Sequence, residues 1–364
     1  MREPHSKRER LDKPTLVYPF DAPPLPGKAL DVAPGVVWMR MPLPFVLNHI
    51  NLWGLEDQGG WAVVDTGMRT EDTLAAWRGL FKDTRDERPI TRVFVTHMHP
   101  DHIGLAGWLT RKFGCRLWMT RQEYLNCRVL CSDTGREAPD DALFFFRRAG
   151  WSESALEDYR ARFGNFGKQI HALPDSYRRM IDGETITIGA NEWRVIVGTG
   201  HSPEHACLYC PALKLLISGD QVLPRISSNV SVHPTEPDAD PMREWLESLA
   251  KLKREVPDDV LVLPSHNECF RGLHARLDYL GASQHRTLDR LRDSLAQRKR
   301  AIDVFGTLFA RDIDESSPAL LGMATGESIA CLNFLLHRGE ADVALDDAGV
   351  AWYQLRTSLV ATRA

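Results

Sequence analysis

Five times before residue 270, a short run of β-branched and aromatic residues ends in a histidine or an aspartate. The densest case is Thr96-His97-Met98-His99-Pro100-Asp101-His102, which follows the apolar Val93-Phe94-Val95. Gly198-Thr199-Gly200-His201 follows Trp193 to Val197, and Ser218-Gly219-Asp220 follows Leu215-Leu216-Ile217. Leu263-Pro264-Ser265-His266 follows Val260-Leu261-Val262, and Asp65-Thr66-Gly67 follows Trp61 to Val64. Side chains on loops at the ends of rigid strands are where sites are usually assembled. Three imidazoles and a carboxylate between positions 97 and 102 would make a poor core. Two histidines two apart on extended backbone point the same way, and histidine is the commonest metal-binding side chain. After Pro100 the chain turns, so Asp101 and His102 face a second point in space.

The surrounding pattern alternates strands with helices, which predicts an α/β protein. Strands are expected at 35–41, 49–55, 61–65, 90–96, 116–119, 184–188, 193–197, 206–209, 214–218 and 260–263. Helices are expected at 70–81, with Thr70 as N-cap, and at 104–113, 241–255 and 273–298. Residues 1–30 carry charge and six prolines and read as an arm. The stretch 132–180 is rich in aromatics (Phe144, Phe145, Phe146, Trp151, Phe163, Phe166, Tyr177) and reads as a helical insert. It is too long for a plain connection, so a lid, an apolar wall for substrate or half of a homodimer interface is expected there. Residues 271–364 read as helices ending in a hairpin, 342–345 and 350–353 around a turn at 346–349, a winged-helix-like arrangement.

The ordered set His-x-His-x-Asp-His, then His201, Asp220 and His266, resembles the signature of the metallo-β-lactamase superfamily over about residues 35–270. That resemblance implies a four-layer αββα sandwich as the catalytic domain over 31–270, with two divalent metal ions. By it, His97, His99 and His201 would hold one ion, Asp101, His102 and His266 the other, and Asp220 would bridge both. Histidine with carboxylate suits zinc first and also iron or manganese. The implied chemistry is hydrolysis by a hydroxide shared between the ions, with Asp101 and Asp220 as the catalytic carboxylates. Asp65 is either a partner holding a histidine ring or a plain turn residue. An aspartate at 220 is unlike most true β-lactamases, and no flavodoxin-like segment follows, which argues against antibiotic hydrolysis and oxidoreduction. The tail, with Gly326-Glu327-Ser328-Ile329-Ala330-Cys331-Leu332-Asn333 and His337-Arg338-Gly339, resembles the β-lactamase-like-protein branch. That branch lies near the hydroxyacylglutathione hydrolases and includes a ribonuclease. A small-molecule thioester is therefore the first expected substrate, and a lactone or other ester the second. The alternative is a metal-dependent endoribonuclease or phosphodiesterase.

Composition narrows the partners. The net charge of -4 gives no general pull toward nucleic acid, and residues 271–364 hold twelve Lys and Arg against twelve Asp and Glu. No apolar run is expected to reach the ~20 residues of a membrane span, and the first residues do not read as a secretory signal. Seven cysteines in 364 residues argue against a disulfide framework and for a reducing cytoplasm. Cys207 and Cys210 lie three apart on a strand and so face opposite sides, while Cys127 and Cys131 read as core cysteines. The loop from Pro224 to Pro234 leaves Asp220 directly. Its Arg225, Ser228, Asn229 and His233 either touch substrate or satisfy one another.

Overall fold

A computed structural model describes residues 12–82 and 88–356. Residues 1–11 of the expected arm and 357–364 of the expected tail lie outside the described residues. The first layer of elements is β1 (Ala29–Ala33), β2 (Val36–Pro42), β3 (His49–Asp57), β4 (Gly60–Val64), α1 (Glu71–Lys82), β5 (Ile90–Phe94), α2 (Pro100–Ile103), α3 (Ala106–Phe113), β6 (Arg116–Met119) and α4 (Arg121–Ser132). The insert follows with α5 (Asp140–Ala149), α6 (Glu153–Arg162) and the two-residue β7 (Arg178–Arg179). Then come β8 (Thr185–Ile188), β9 (Asn191–Gly198), β10 (His205–Cys210), β11 (Leu215–Gly219), α7 (Pro241–Glu255) and β12 (Leu261–Pro264). The C-terminal part contains α8 (Leu273–Ser294), α9 (Phe305–Leu308), α10 (Pro318–His337) and the hairpin β13 (Ala341–Leu345) and β14 (Ala351–Leu355).

The strands make a seven-stranded sheet in the order β1-β2-β3-β4-β5-β6-β7 and a five-stranded sheet in the order β12-β11-β10-β9-β8. Period-2 alternation decides which side chain enters which layer. On β2, Val36 and Trp38 enter the space between the sheets, whereas Met39 and Met41 point to the outer layer that holds Trp77 of α1 and Leu109 of α3. On β10, Ala206, Leu208 and Cys210 face the space between the sheets, and Cys207 and Tyr209 face the helices on the other side. The two cysteines are thus on opposite faces, and all seven cysteines are unpaired. Helices, two sheets and helices stack as four layers, with a helical C-terminal part beyond.

Local boundaries follow from the expected chemistry. Thr70 caps α1, its Oγ1 accepting from Thr73 N at 3.1 Å. The expected helix over 104–113 begins at Ala106 as α3, because a separate one-turn α2 with Pro100 at N1 precedes it and Gly104 and Leu105 lie between the two. α8 stops at Ser294, short of the expected 298. Lys299 leaves helical geometry to pair with Tyr353 of β14, its N–H donating to Tyr353 O at 3.0 Å.

One expectation needs correction. α10 is a 20-residue helix long and apolar enough to cross a membrane, against the expectation of no such run. Two-thirds of it (67%) is buried inside the protein, which is why it carries no polar face to mark it in sequence. Part of the aromatic insert is used inside the chain. Phe145, Phe146 and Trp151 are buried in the same cluster as Leu321, Ala324 and Ile329 of α10. Trp151 stacks on Phe146 at 4.2 Å between centroids, and its Nε1 donates to Thr325 Oγ1 at 2.9 Å. Phe145, Phe146 and Trp151 therefore seat α10 on the body, while Phe166 and Tyr177 pack against the layer of α1 and α3 and Phe144 is exposed.

Candidate metal centre

Two parallel strand pairs, β4 with β5 and β11 with β12, end at one edge of the sandwich. The sheets are tied together there: Ala206 N donates to Thr96 O at 2.9 Å, and Asn51 Nδ2 donates to Pro264 O at 2.8 Å. That edge carries every histidine and aspartate singled out in the sequence. His97 and His99 follow β5, His201 follows β9, Asp220 follows β11 and His266 follows β12, while Asp101 and His102 lie on α2. Three groups of these side chains could each hold an ion, with potential ligand atoms within 4.8 Å of one another. They are His97, His99 and His201; His97, His102 and Asp220; and Asp101, His102 and His266.

The distances suit cations. His97 Nε2 lies 3.3 Å from His201 Nε2 and 2.9 Å from His99 Nδ1. Ligand atoms about 2.0–2.1 Å from a tetrahedral ion stand roughly 3.3 Å apart. In the other group, His266 Nε2 is 3.4 Å from Asp101 Oδ2, and His102 Nε2 is 3.7 Å from the same oxygen. Asp220 stands between the groups. Its Oδ2 is 3.6 Å from His201 Nε2 and 3.5 Å from His102 Nε2, and its Oδ1 is 3.4 Å from His266 Nε2. Both His102 Nε2 and Asp220 Oδ1 are buried with no hydrogen-bond partner, as atoms reserved for an ion would be. The residues present therefore fit divalent metal binding.

The outer nitrogens are fixed by partners that hold each ring and turn Nε2 inward. His201 Nδ1 donates to Asn229 O at 2.7 Å, and His266 Nδ1 donates to His49 O at 2.8 Å. His102 Nδ1 donates to Asp65 Oδ2 at 2.8 Å. Thr96 Oγ1 donates to Asp65 Oδ2 at 2.9 Å and lies 3.0 Å from His97 Nδ1. Asp65, buried and at φ 62, therefore holds the His102 ring directly and connects to the His97 ring through Thr96, which goes beyond a plain turn residue.

Charge at the site follows from burial and neighbours. Desolvation, then the rings of His102 and His99, drive His97 well below the usual imidazole range; desolvation and His201 bring His99 to about 3. Burial likewise lowers His102 and His266, but the carboxylates outweigh it and raise both, His266 to about 10. Burial opposes ionisation of Asp101, yet His102 and His266 hold it at about 2.

The loop after Asp220 contributes differently at each expected contact. Ser228 is buried and its Oγ donates to Asp220 O. Asn229 holds His201 through its carbonyl, and its Nδ2 donates to Glu327 Oε2 at 2.9 Å. Arg225 is paired with Glu268 at 2.8 Å and stacks on Tyr18. His233 is exposed at the protein surface. Ser228, Asn229 and Arg225 are thus engaged by the protein itself.

Three residues beyond the sequence reading belong to this neighbourhood. His205 is fully buried, and its Nε2 accepts from Asp220 N at 3.0 Å. Gly219 makes room for it, since a Cβ there would lie 2.4 Å from the His205 ring. Glu123 accepts from the backbone at Met98 and Glu204, and Glu327 reaches the site loop from α10. Thr120-x-x-Glu123 has the spacing of a helix capping box, which is the only signal the sequence offers for that glutamate.

Comparison with known proteins agrees with this architecture. Residues 47–266 match the family model described as the metallo-beta-lactamase superfamily. The chain belongs to the metallo-beta-lactamase superfamily. Residues 288–356 match the model of the metallo-beta-lactamase-like C-terminal domain. A crystal structure of a beta-lactamase domain protein from Burkholderia ambifaria is 40% identical, with a TM-score of 0.85 over 94% of this chain and 98% of that one. A metallo-beta-lactamase family protein from Thermus thermophilus shares the fold at 23% identity, with a TM-score of 0.75 over 90% of this chain and 100% of that one. An uncharacterized protein from Aquifex aeolicus is 25% identical over 213 residues, 58% of this chain and 80% of its own length. Members of this superfamily are generally metal-dependent hydrolases, and the His/Asp clusters suit divalent ions.

Proposed function

We propose that the chain is a dinuclear-metal hydrolase of a small-molecule thioester, with a lactone or other carboxylic ester as the second substrate class. The observation that carries this reading is Asp220. It lies within 3.6 Å of His201 on one side and 3.4 Å of His266 on the other, so one carboxylate serves two groups of nitrogen ligands. His97, His99 and His201 would hold one ion and Asp101, His102 and His266 the other, with Asp220 placed to serve both. Two divalent ions so placed would supply hydroxide near neutral pH and polarise the carbonyl under attack. Zinc suits the set, and iron or manganese also matches it.

The chain's own residues complete the reaction. Asp101 is the more accessible of the two carboxylates (22% against 11% for Asp220) and has an oxygen available to hold and orient the attacking water's proton. Ser228 and His205 fix the backbone of Asp220 from opposite sides, so the bridging carboxylate does not swing during turnover. Phe45 and Val46 are exposed on the β2–β3 connection, which runs directly into His49 behind His266. Ile226 is exposed on the segment leaving Asp220. These apolar groups suit an acyl chain. Arg225 is neutralised by Glu268, which removes a cation that a phosphodiester would use. The β13–β14 hairpin after α10 supports the winged-helix reading of the tail and, with it, the branch near the hydroxyacylglutathione hydrolases. The seven unpaired cysteines support a reducing compartment.

The test is thiol release from a panel of acyl-glutathione and acyl-coenzyme A thioesters by metal-replete protein, with Asp101→Asn as control. Turnover that collapses in the variant supports the proposal. No release above the variant, together with cleavage of structured RNA, would replace it with the phosphodiesterase reading.

A further inference from the structure

Glu123 occupies the first turn of α4, a helix that carries none of the grouped histidines and aspartates, and its side chain is fully buried. Burying a carboxylate costs several kcal/mol unless its oxygens are satisfied. Among the described residues no lysine or arginine pairs with it. Its two oxygens instead go to two different loops. Oε2 accepts from Met98 N at 2.9 Å, the amide between His97 and His99. Oε1 accepts from Glu204 N at 2.8 Å, in the turn that begins with His201. The same turn is fastened to the start of α4 twice more: Thr120 Oγ1 donates to Glu204 O at 2.7 Å, and Gln122 N donates to Glu204 Oε2 at 2.8 Å.

The chemistry of this joint requires a carboxylate of glutamate length. Two backbone N–H groups, of Met98 and Glu204, converge from loops more than 100 residues apart in sequence, and only a carboxylate presents an acceptor to each. Glutamine would turn an NH2 group toward one of the two donors, and aspartate would be one methylene short. Among the described residues neither α2, which carries Asp101 and His102, nor the loop of His266 has a hydrogen bond of its own to α4. We propose that Glu123 is a positioning residue that sets the spacing of His97, His99 and His201, and so governs the affinity of that group for its ion selectively over the other. The proposal rests on the metal-centre reading above.

The experiment measures binding rather than turnover. Metal-free protein is titrated with Co(II) against a chelator, following stoichiometry, affinity and the visible absorption of the bound ion. Wild type is expected to take up two equivalents. Glu123→Gln should weaken one of them about 10–100-fold, as loss of a partner behind a ligand typically does, and should change its absorption band. The assignment comes from paired backgrounds. With His266→Ala, which leaves the three-nitrogen group, adding Glu123→Gln should weaken the remaining ion; with His201→Ala it should not. Unchanged affinity and spectrum, or equal weakening in both backgrounds, overturns the proposal. If Glu123→Gln does not fold, Thr120→Val frees the same turn and should give the same selective loss, with an unaltered profile again counting as refutation. Wild type binding less than one equivalent would overturn the metal-centre reading itself, and this proposal with it.

Discussion

Glu327 lets the contact between the C-terminal helix and the site loop be tested through stability alone. Its carboxyl is half-buried on α10, accepts from Asn229 Nδ2 at 2.9 Å, and sits where Gly326 approaches so closely that a Cβ would lie 2.8 Å from Ser231. Desolvation pushes it up from 4.5 to about 7, against the smaller opposing effects of Asn229 and Arg311. A carboxyl whose pKa is raised on folding holds its proton to higher pH in the native state than in the unfolded chain. Stability is therefore greatest below the unfolded value near 4.5 and falls as pH rises through about 7. A shift of that size converts to about 3.4 kcal/mol at most. Solvent access to a half-buried group reduces this to about 1–2 kcal/mol.

Glu327→Gln keeps an oxygen for the Asn229 donor and removes the charge. The variant should match wild type at pH 4.5–5 and exceed it at pH 8 by about 1–2 kcal/mol, a Tm difference of about 2–4 °C. Thermal unfolding of both proteins at pH 5, 6, 7 and 8 reads the difference directly. Effects of pH on the histidines and on metal retention are common to both proteins and cancel. A Tm difference that stays constant from pH 5 to pH 8, or a variant less stable at pH 8, would refute the reasoning. Either result would mean that the carboxylate is ionised without cost at the α10 contact.

Other consequences are as direct. Asp57, held at about 2 by Arg92, Thr91 and two backbone N–H groups in spite of its burial, contributes stability above its unfolded value of 3.8 that disappears as pH falls through about 2. Asp57→Asn should cost about 2 kcal/mol at pH 6 and almost nothing at pH 2, measured by urea denaturation. Trp151→Ala removes a ring that is 7% exposed and should cost about 3–5 kcal/mol in thermal or urea unfolding. Trp151→Phe, which loses the bond to Thr325 and part of the buried ring, should cost about 1–3 kcal/mol, less than Trp151→Ala. Gly219→Ala places a Cβ against the His205 ring and displaces it from Asp220 N, so metal content after dialysis should fall below that of wild type.

Two kinds of information in the chain separate here. Strand and helix positions are legible in the sequence because each depends on a local pattern. Alternation on β2 and β10 sends successive side chains to different layers, and Thr70 marks the start of α1 by its own hydroxyl. The grouped histidines and aspartates are legible because the strands carrying them end at one edge, so a repeated local motif becomes a single place in space. α10 is illegible for the opposite reason. Buried on most sides, it has no amphipathic stripe, and its 20 residues satisfy the same criteria as a membrane span. The packing of Phe145, Phe146 and Trp151 is hidden because they are matched by a helix more than 170 residues away, through pairs such as Trp151 and Thr325. Glu123, His205 and Glu327 belong with these long-range cases. Each is a single polar residue whose local surroundings allow an ordinary explanation, a helix cap for Glu123 above all. Each acquires its role only when another segment presents a backbone amide or a side-chain donor to it. Composition and spacing therefore identify the groups able to meet an ion, whereas the residues that fix their separation appear only once the packing is complete. Substrate-class differences among chains with the same seven histidines and aspartates should accordingly track the second set, which is reached through α4 and α10 rather than through the motif itself.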